Sequence, residues 1–183
     1  MPDKLTPQQR HKCMSRIRSK NTKPELLVRR WLWADGFRYR LYVRNLPGSP
    51  DIVFKKYKIA LFINGCFWHG HKTNYEFGKS KSIDSSECCK IPKSRTDFWM
   101  QQILRNRERD VINYIQLKNA GWNVLVVWEC QLKGKEQQAQ TLKALSYQIN
   151  SIILKSYSKP ESYDLKPDSD YLEVAEADKN YGR

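Results

Sequence analysis

The densest chemistry in the chain lies in seven residues, Gly65-Cys-Phe-Trp-His-Gly-His71, where one thiol, two imidazoles and two large aromatics stand side by side. Thiolate and imidazole are the donors zinc prefers, and a closed tetrahedral site needs four of them. Cys66 and His71 supply two. Cys88 or Cys89 can supply a third across an irregular stretch, and Cys130 a fourth, with plain burial as the alternative for that last thiol. Structural zinc is therefore expected on ligand type. His69 is left over between two ligands. A neutral imidazole there can take a proton from water, or it can serve as a supporting or alternative zinc ligand.

Three further positions carry possible chemistry. Asp51 follows Pro50 at the start of an apolar run, which places its carboxylate at a sheet end beside backbone carbonyls of a partner strand. Such an acid suits Mg²⁺, although Asp after Pro also serves ordinary turns. Asp110 falls on the stripe Trp99, Ile103, Asn106, Asp110, Tyr114 and Leu117 of a long helix. A carboxylate on so apolar a face needs a partner, either a histidine or the neighbouring Arg107. Phe67, Trp68 and Trp99 are large aromatics placed in a loop and at a helix start. They can act as wedges between base pairs or pack around the zinc.

The elements that must hold these residues follow from periodicity. A short basic helix is expected over Thr6 to Ser19, and a second over Pro24 to Asp35, with Leu27, Val28, Trp31 and Leu32 as its buried stripe and Gly36 as its stop. Phe37 to Val43 alternates like a strand. Asp51 to Lys55 and Lys58 to Asn64 form a hairpin. Pairing Lys55 with Lys58 sets Asp51 opposite Phe62, next to Ile63 and Asn64. Thr96 or Asp97 caps a long helix that ends at Asn119 before Ala120-Gly121. Trp122 to Glu129 reads as a strand buried on both faces, and Lys135 to Ser156 as an amphipathic helix with Ala139, Leu142, Leu145, Ile149, Ile152 and Ile153 on one side. Trp31, Trp122 and Trp128 are assigned to the core. The fold class is α/β, a mixed sheet with helices on both sides.

Composition bounds the partner. The 183 residues hold 33 Lys and Arg against 19 Asp and Glu, a formal charge of +14, together with six Trp, ten Tyr and six Phe. A disordered basic chain would not carry so many aromatics, so a folded protein that meets a polyanion is indicated. Residues 160–183 hold seven acids and three bases, which makes that stretch −4 and the remainder +18. Three parts are expected: a basic segment (1–22), to which the resemblance given below assigns DNA contact, a core (23–158) and an acidic, flexible tail (159–183). No apolar run approaches the ~18 residues of a membrane span. Met1 to Arg10 has no apolar stretch of the secretory kind, so a cytoplasmic place and reduced thiols are expected. Five cysteines, an odd count, argue against a full disulfide set.

These motifs together resemble the very-short-patch DNA mismatch repair endonucleases. The resemblance runs from about Met14 to Leu132. It is carried by Met14-Ser-Arg-Ile-Arg-Ser-Lys-Asn-Thr-Lys-Pro-Glu25, Pro47-Gly-Ser-Pro-Asp51, Asn64-Gly-Cys-Phe-Trp-His-Gly-His71, Pro92-Lys-Ser-Arg-Thr-Asp-Phe-Trp99, Asn106-Arg-Glu-Arg-Asp110 and Gly121-Trp122 through Trp128-Glu-Cys130. It implies a restriction-endonuclease-like core with structural Zn²⁺, and a Mg²⁺-dependent nick in one strand of duplex DNA beside a T:G mismatch. Asp51 and the Ile63 carbonyl would bind Mg²⁺. His69 would be the general base, oriented by Asp110, and Glu25 would support the site. Cys66, His71 and Cys130 map onto zinc ligands. Phe67, Trp68 and Trp99 map onto an intercalating wedge, with Met14 and Ile17 entering from the opposite groove. A monomer is expected, working with mismatched DNA and other repair proteins.

Two departures from the family pattern are visible. Asn64 stands where the family often has His, and an amide cannot shuttle a proton. The family's cysteine shortly after the His pair is replaced by Lys72-Thr-Asn-Tyr, so Cys88 or Cys89 must fill the vacancy, with Cys89 favoured for its closeness to Pro92-Lys93. A sequence-specific restriction-type nuclease and a non-catalytic zinc-bearing DNA-binding module are the rival readings.

Overall fold

The computed structural model describes residues 6–16 and 20–158. Ile17 and the acidic segment 159–183 lie outside the described residues, as does the Met14 side chain, so the expectations placed on them find no structural counterpart here. Helix α1 (Pro7–Ser15) is shorter than expected. It opens on a reciprocal pair in which Gln9 N–H donates to Thr6 Oγ1 (3.2 Å) and Thr6 N–H to Gln9 Oε1 (2.9 Å). Helix α2 (Lys23–Ala34) carries Pro24 in its first turn and closes on Gly36, left-handed at φ 86°. There Phe37 N–H donates to the Leu32 carbonyl and Gly36 N–H to that of Trp33.

Strand β1 (Arg40–Leu41) keeps two residues of the expected seven. Tyr42 turns the chain out of the strand at φ 50°, which aims its phenol at α2 rather than along the sheet. Strands β2 (Ile52–Phe54) and β3 (Ile59–Asn64) form the hairpin in the expected register, with Ile52 opposite Leu61 and Phe54 opposite Ile59. A 3-10 turn over Lys55–Tyr57 and a left-handed Lys58 join them. Helix α3 (Thr96–Asn119) crosses to β4 (Asn123–Trp128), which runs parallel to β3. Helix α4 (Lys135–Tyr157) follows a short turn. The sheet order is β1-β2-β3-β4, antiparallel except for the last pair, a mixed sheet as expected.

Burial follows from that order. β3 is buried at all six positions and divides its side chains by the two-residue period. Ile59, Leu61 and Ile63 meet Val28 and Leu32 of α2 and Leu142, Leu145 and Ile149 of α4. Ala60 and Phe62 meet Leu117 and Tyr114 of α3 on the other face. The strand expected to be buried on both faces, β4, is instead half-buried, because it is an edge strand with only β3 beside it. Trp31 and Trp122 pack against the two faces as expected, and Trp31 Nε1 donates to Ser146 Oγ of α4 (3.0 Å). Neither Thr96 nor Asp97 caps α3. Left-handed Arg95 is the cap residue, and Thr96 Oγ1 donates back to the Pro92 and Lys93 carbonyls.

Leu61 is fully buried between helices on an inner strand, so truncation there opens a cavity. Leu61→Ala is expected to lower the unfolding free energy by about 2–5 kcal/mol, read from the shift of a urea midpoint. No described helix is long and apolar enough to cross a membrane.

Candidate active site and metal cluster

The hairpin register brings Asp51 to the end of the sheet. Ile63 N–H donates to Asp51 Oδ2 (2.7 Å), while Oδ1 has no partner among the described residues. Burial pushes the Asp51 carboxyl up to about 6. The Ile63 N–H pulls it back, the Glu25 carboxylate pushes it up again, and Arg29 and His69 lower it. Helix α2, the hairpin and the His69 loop thus converge on one carboxylate that is costly to ionise without a cation.

Glu25 is 3% exposed and held on all sides. Arg29, one turn on, donates to its Oε2 (2.7 Å), Thr22 Oγ1 to its Oε1 (2.9 Å), and the Asn21 N–H (3.0 Å) and Tyr42 hydroxyl (3.2 Å) to Oε2. Arg29 also donates to Asn21 Oδ1 (2.7 Å) and Tyr42 Oη (2.7 Å). Arg29, Asn21 and Tyr42 escaped sequence reasoning. The available signal was an acid and a base four apart on the apolar side of a helix, where an unpaired charge is costly.

The loop after β3 winds tightly. His69 N–H donates to the Gly65 carbonyl (3.2 Å) and His71 N–H to that of Cys66 (3.0 Å). Gly70 sits at φ 54°, and a Cβ there would lie 2.8 Å from Ile103 Cγ2 of α3. That close approach sets His69 Nδ1 2.6 Å from Asp110 Oδ2, with Asp110 only 9% exposed. A carboxylate accepts, so Nδ1 carries the proton and Nε2 offers its lone pair. Of the two partners considered for Asp110, the structure supplies the histidine. One turn earlier Asn106 Nδ2 donates to the Trp68 carbonyl (2.8 Å), and Arg109 donates to Asn106 Oδ1 (2.7 Å). Asn64 points to the α3 side of the sheet, buried, and donates to Tyr114 Oη (2.9 Å).

Cys66, His71, Cys88 and Cys130 bring their donor atoms within 4.8 Å of one another. His71 Nδ1 lies 3.3 Å from Cys88 Sγ, 3.3 Å from Cys130 Sγ and 3.7 Å from Cys66 Sγ. Ideal tetrahedral zinc geometry requires about 3.6 Å between nitrogen and sulfur. The donor set and its spacing therefore fit a four-coordinate metal ion. Burial pushes the Cys66 thiol up to about 12. The Cys130 N–H lowers it, and the Cys130 and Cys88 thiols raise it. A central cation reverses that tendency and favours thiolates. His71 is held neutral, first by burial and then by Lys72 and Arg107, in the form that ligates. Trp128 is a wall of this cluster rather than core, stacked on His71 at 4.1 Å and 11°.

Of the vicinal thiols, Cys88 lies in the cluster and Cys89, the one expected there, lies outside it. Cys89 is fully buried against Ile83, Ile103 and Phe67, its Sγ 3.7 Å from the Phe67 carbonyl, while Cys88 turns to His71. Phe67, Trp68 and Trp99 form one half-buried aromatic cluster with centroids 5.1, 5.3 and 6.0 Å apart. It adjoins both the metal-ligand cluster and the His69–Asp110 pair.

Residues 2–75 match the family described as DNA mismatch endonuclease Vsr. The chain is 43% identical over 153 residues to a type II nicking enzyme, V.NmeAIP, of Neisseria meningitidis, covering 84% of this chain and the whole of that protein. A second type II nicking enzyme, V.XorIIP of Xanthomonas oryzae, is 43% identical over 153 residues, covering 84% of this chain and 98% of the relative. The DNA mismatch endonuclease Vsr of Escherichia coli K12 is 38% identical over 135 residues, covering 74% and 76%. With these identities over most of its length, an α/β core, a cluster of three cysteines and a histidine, and a His69–Asp110 pair, the chain belongs to the Vsr family of DNA endonucleases.

Proposed function

We propose that the protein nicks one strand of duplex DNA beside a T:G mismatch by hydrolysing a phosphodiester with Mg²⁺, and so opens a short repair tract. What supports the reading is a carboxylate held at the sheet end by the Ile63 N–H (2.7 Å) together with a His69–Asp110 pair at 2.6 Å on the loop that follows the same strand. Asp51, whose Oδ1 has no partner among the described residues, and the Ile63 carbonyl at the same strand end would hold Mg²⁺. The cation supplies charge neutralisation on the scissile phosphate. His69 Nε2 takes a proton from water as the oxygen attacks phosphorus. Asp110 holds the ring in that tautomer and stabilises the imidazolium. The P–O bond to the leaving strand breaks, and solvent protonates the leaving oxygen. Glu25, locked by Arg29 and Tyr42, keeps α2 and its charge beside Asp51.

The thiol–imidazole cluster would hold structural Zn²⁺ with four protein ligands, a reading supported by its three thiols and one imidazole within 4.8 Å of one another. Its ligands Cys66 and His71 bracket Phe67, Trp68 and His69, so the ion pins the wedge and the base together. Phe67, Trp68 and Trp99 unstack the duplex, aided by Met14 and Ile17 of the basic 1–22 segment. A mismatch gives up less pairing energy than an intact pair, so deformation itself selects it. The +14 chain supplies salt-dependent affinity for the backbone.

The test is strand cleavage in Mg²⁺ on a panel of duplexes carrying each mismatch or none, with the nick mapped. A nick confined to T:G duplexes is expected. Equal cutting of a matched sequence favours the restriction-type alternative, and no cutting at all favours the binding module. His69→Ala is expected to slow single-turnover nicking by about 10²-fold or more while leaving duplex affinity unchanged.

A further inference from the structure

Arg107 is the charged residue near the site that the mechanism leaves unused. It lies on α3 between Asn106 and Asp110, partly exposed, and makes no hydrogen bond or ion pair among the described residues. Asp110, one turn on, is taken by His69. The Arg107 stem runs beneath the turn that joins the two imidazoles, where a Cβ on Gly70 would lie 3.4 Å from its Cδ. Its guanidinium lies over the Tyr75 ring, 4.8 Å from the centroid. The buried Nε and the buried Tyr75 hydroxyl are both without a partner. The Arg107 stem thus lies beside the turn that links the His69–Asp110 pair to the metal-ligand cluster.

A guanidinium is a planar fork that matches two phosphate oxygens. Sealing its Nε and stacking it on a ring carries a desolvation cost that an uncommitted surface arginine does not bear. The return is a fixed orientation for the two terminal nitrogens, which donate to nothing described. We propose that Arg107, oriented by Tyr75, is a phosphate-binding residue that grips a backbone phosphate of the DNA next to the His69–Asp110 pair. This rests on the nuclease reading above for the identity of the anion, a nucleic-acid phosphodiester.

The test uses the zinc-loaded full chain and a short duplex with one T:G mismatch, with Ca²⁺ replacing Mg²⁺ so that binding is read alone. Arg107→Gln is expected to bind about tenfold more weakly at low salt. The slope of log K against log salt between about 50 and 200 mM should shrink by about 0.9, the signature of one lost phosphate contact. Arg107→Lys keeps the slope. Neutral methylphosphonates, placed one at a time, cost the wild type about tenfold at one position and cost Arg107→Gln nothing further there. Tyr75→Leu weakens binding about threefold at the same phosphate and carries the test should Arg107→Gln not fold.

An unchanged slope in Arg107→Gln, or a methylphosphonate map identical to the wild type, overturns the assignment, as does unaltered affinity in Tyr75→Leu. Nicking of the same duplex in Mg²⁺ is followed in parallel. A wild type that nicks while the Arg107→Gln slope stays put removes the phosphate site alone. A reduced slope with no wild-type nicking removes the nuclease reading and leaves the phosphate site standing.

Discussion

Asp51→Asn is expected to silence Mg²⁺-dependent nicking by about 10⁴-fold and, in metal-free buffer at neutral pH, to make the fold more stable. Both effects come from one buried charge. An amide keeps an oxygen for the Ile63 N–H but cannot neutralise a divalent cation, and the several kcal/mol of charge stabilisation lost convert to that rate at about 1.4 kcal/mol per tenfold. The stability gain follows from linkage. The Asp51 carboxyl titrates at about 6 in the fold against an ordinary 3.8. Between those values the unfolded chain gives up its proton first, so stability falls as pH rises through the window and levels off above it. The cost above pH 6 is at most about 3 kcal/mol, absent below pH 4, where both states are protonated. The variant should therefore melt higher than the wild type at pH 7.5 without Mg²⁺, and the gap should close on acidification to about pH 4 or on adding Mg²⁺ to the wild type. Nicking by the wild type should likewise fade as pH drops through about 6 at limiting Mg²⁺. A variant that still nicks, or one that melts with the wild type at pH 7.5, removes Asp51 from the role.

The hairpin register was legible because β2 and β3 are short apolar runs joined by a turn of known span, so a single pairing fixes the rest. That register alone set Asp51 against Ile63. The His69–Asp110 pair was half legible: an acid on an apolar helix stripe demands a partner, yet its identity depends on the turn at Gly70, which only packing against Ile103 reveals. The failures have a common cause, since each turns on tertiary neighbours rather than on local pattern. β4 reads as a central strand because its residues are apolar, but its exposure is set by being last in the sheet. Phe37 to Val43 alternates correctly, but the pull of Arg29 and Glu25 on Tyr42 ends the strand early. Arg29 joins no sequence motif that names its role, because Asn21 and Tyr42 approach it from outside the helix. Cys88 and Cys89 are adjacent and chemically identical, and only the apolar pocket of Ile83 and Ile103 decides which one turns inward.

That last distinction yields the second large effect. Cys88→Ser is expected to release the bound zinc and lower the melting temperature by about 10 °C, while Cys89→Ser keeps one zinc per chain. A four-ligand site that loses a thiolate loses most of its affinity. With zinc at about a thousandfold over its dissociation constant, the ion contributes about 4 kcal/mol to a fold of this size. Cys89→Ser instead places a hydroxyl in an apolar pocket and costs a smaller, metal-independent amount. The two variants should separate in metal content by atomic absorption and in the response of their melting curves to a chelator, which should shift the Cys89 variant and leave the Cys88 variant where it already lies. Activity should follow metal rather than stability. His69 lies two residues before His71 and three after Cys66, so freeing either ligand frees the ring from Asp110, and added zinc cannot restore a site that lacks a thiolate. Retention of zinc by Cys88→Ser, or its loss from Cys89→Ser, would assign the fourth ligand to the other thiol and break the geometric link between the metal and the base.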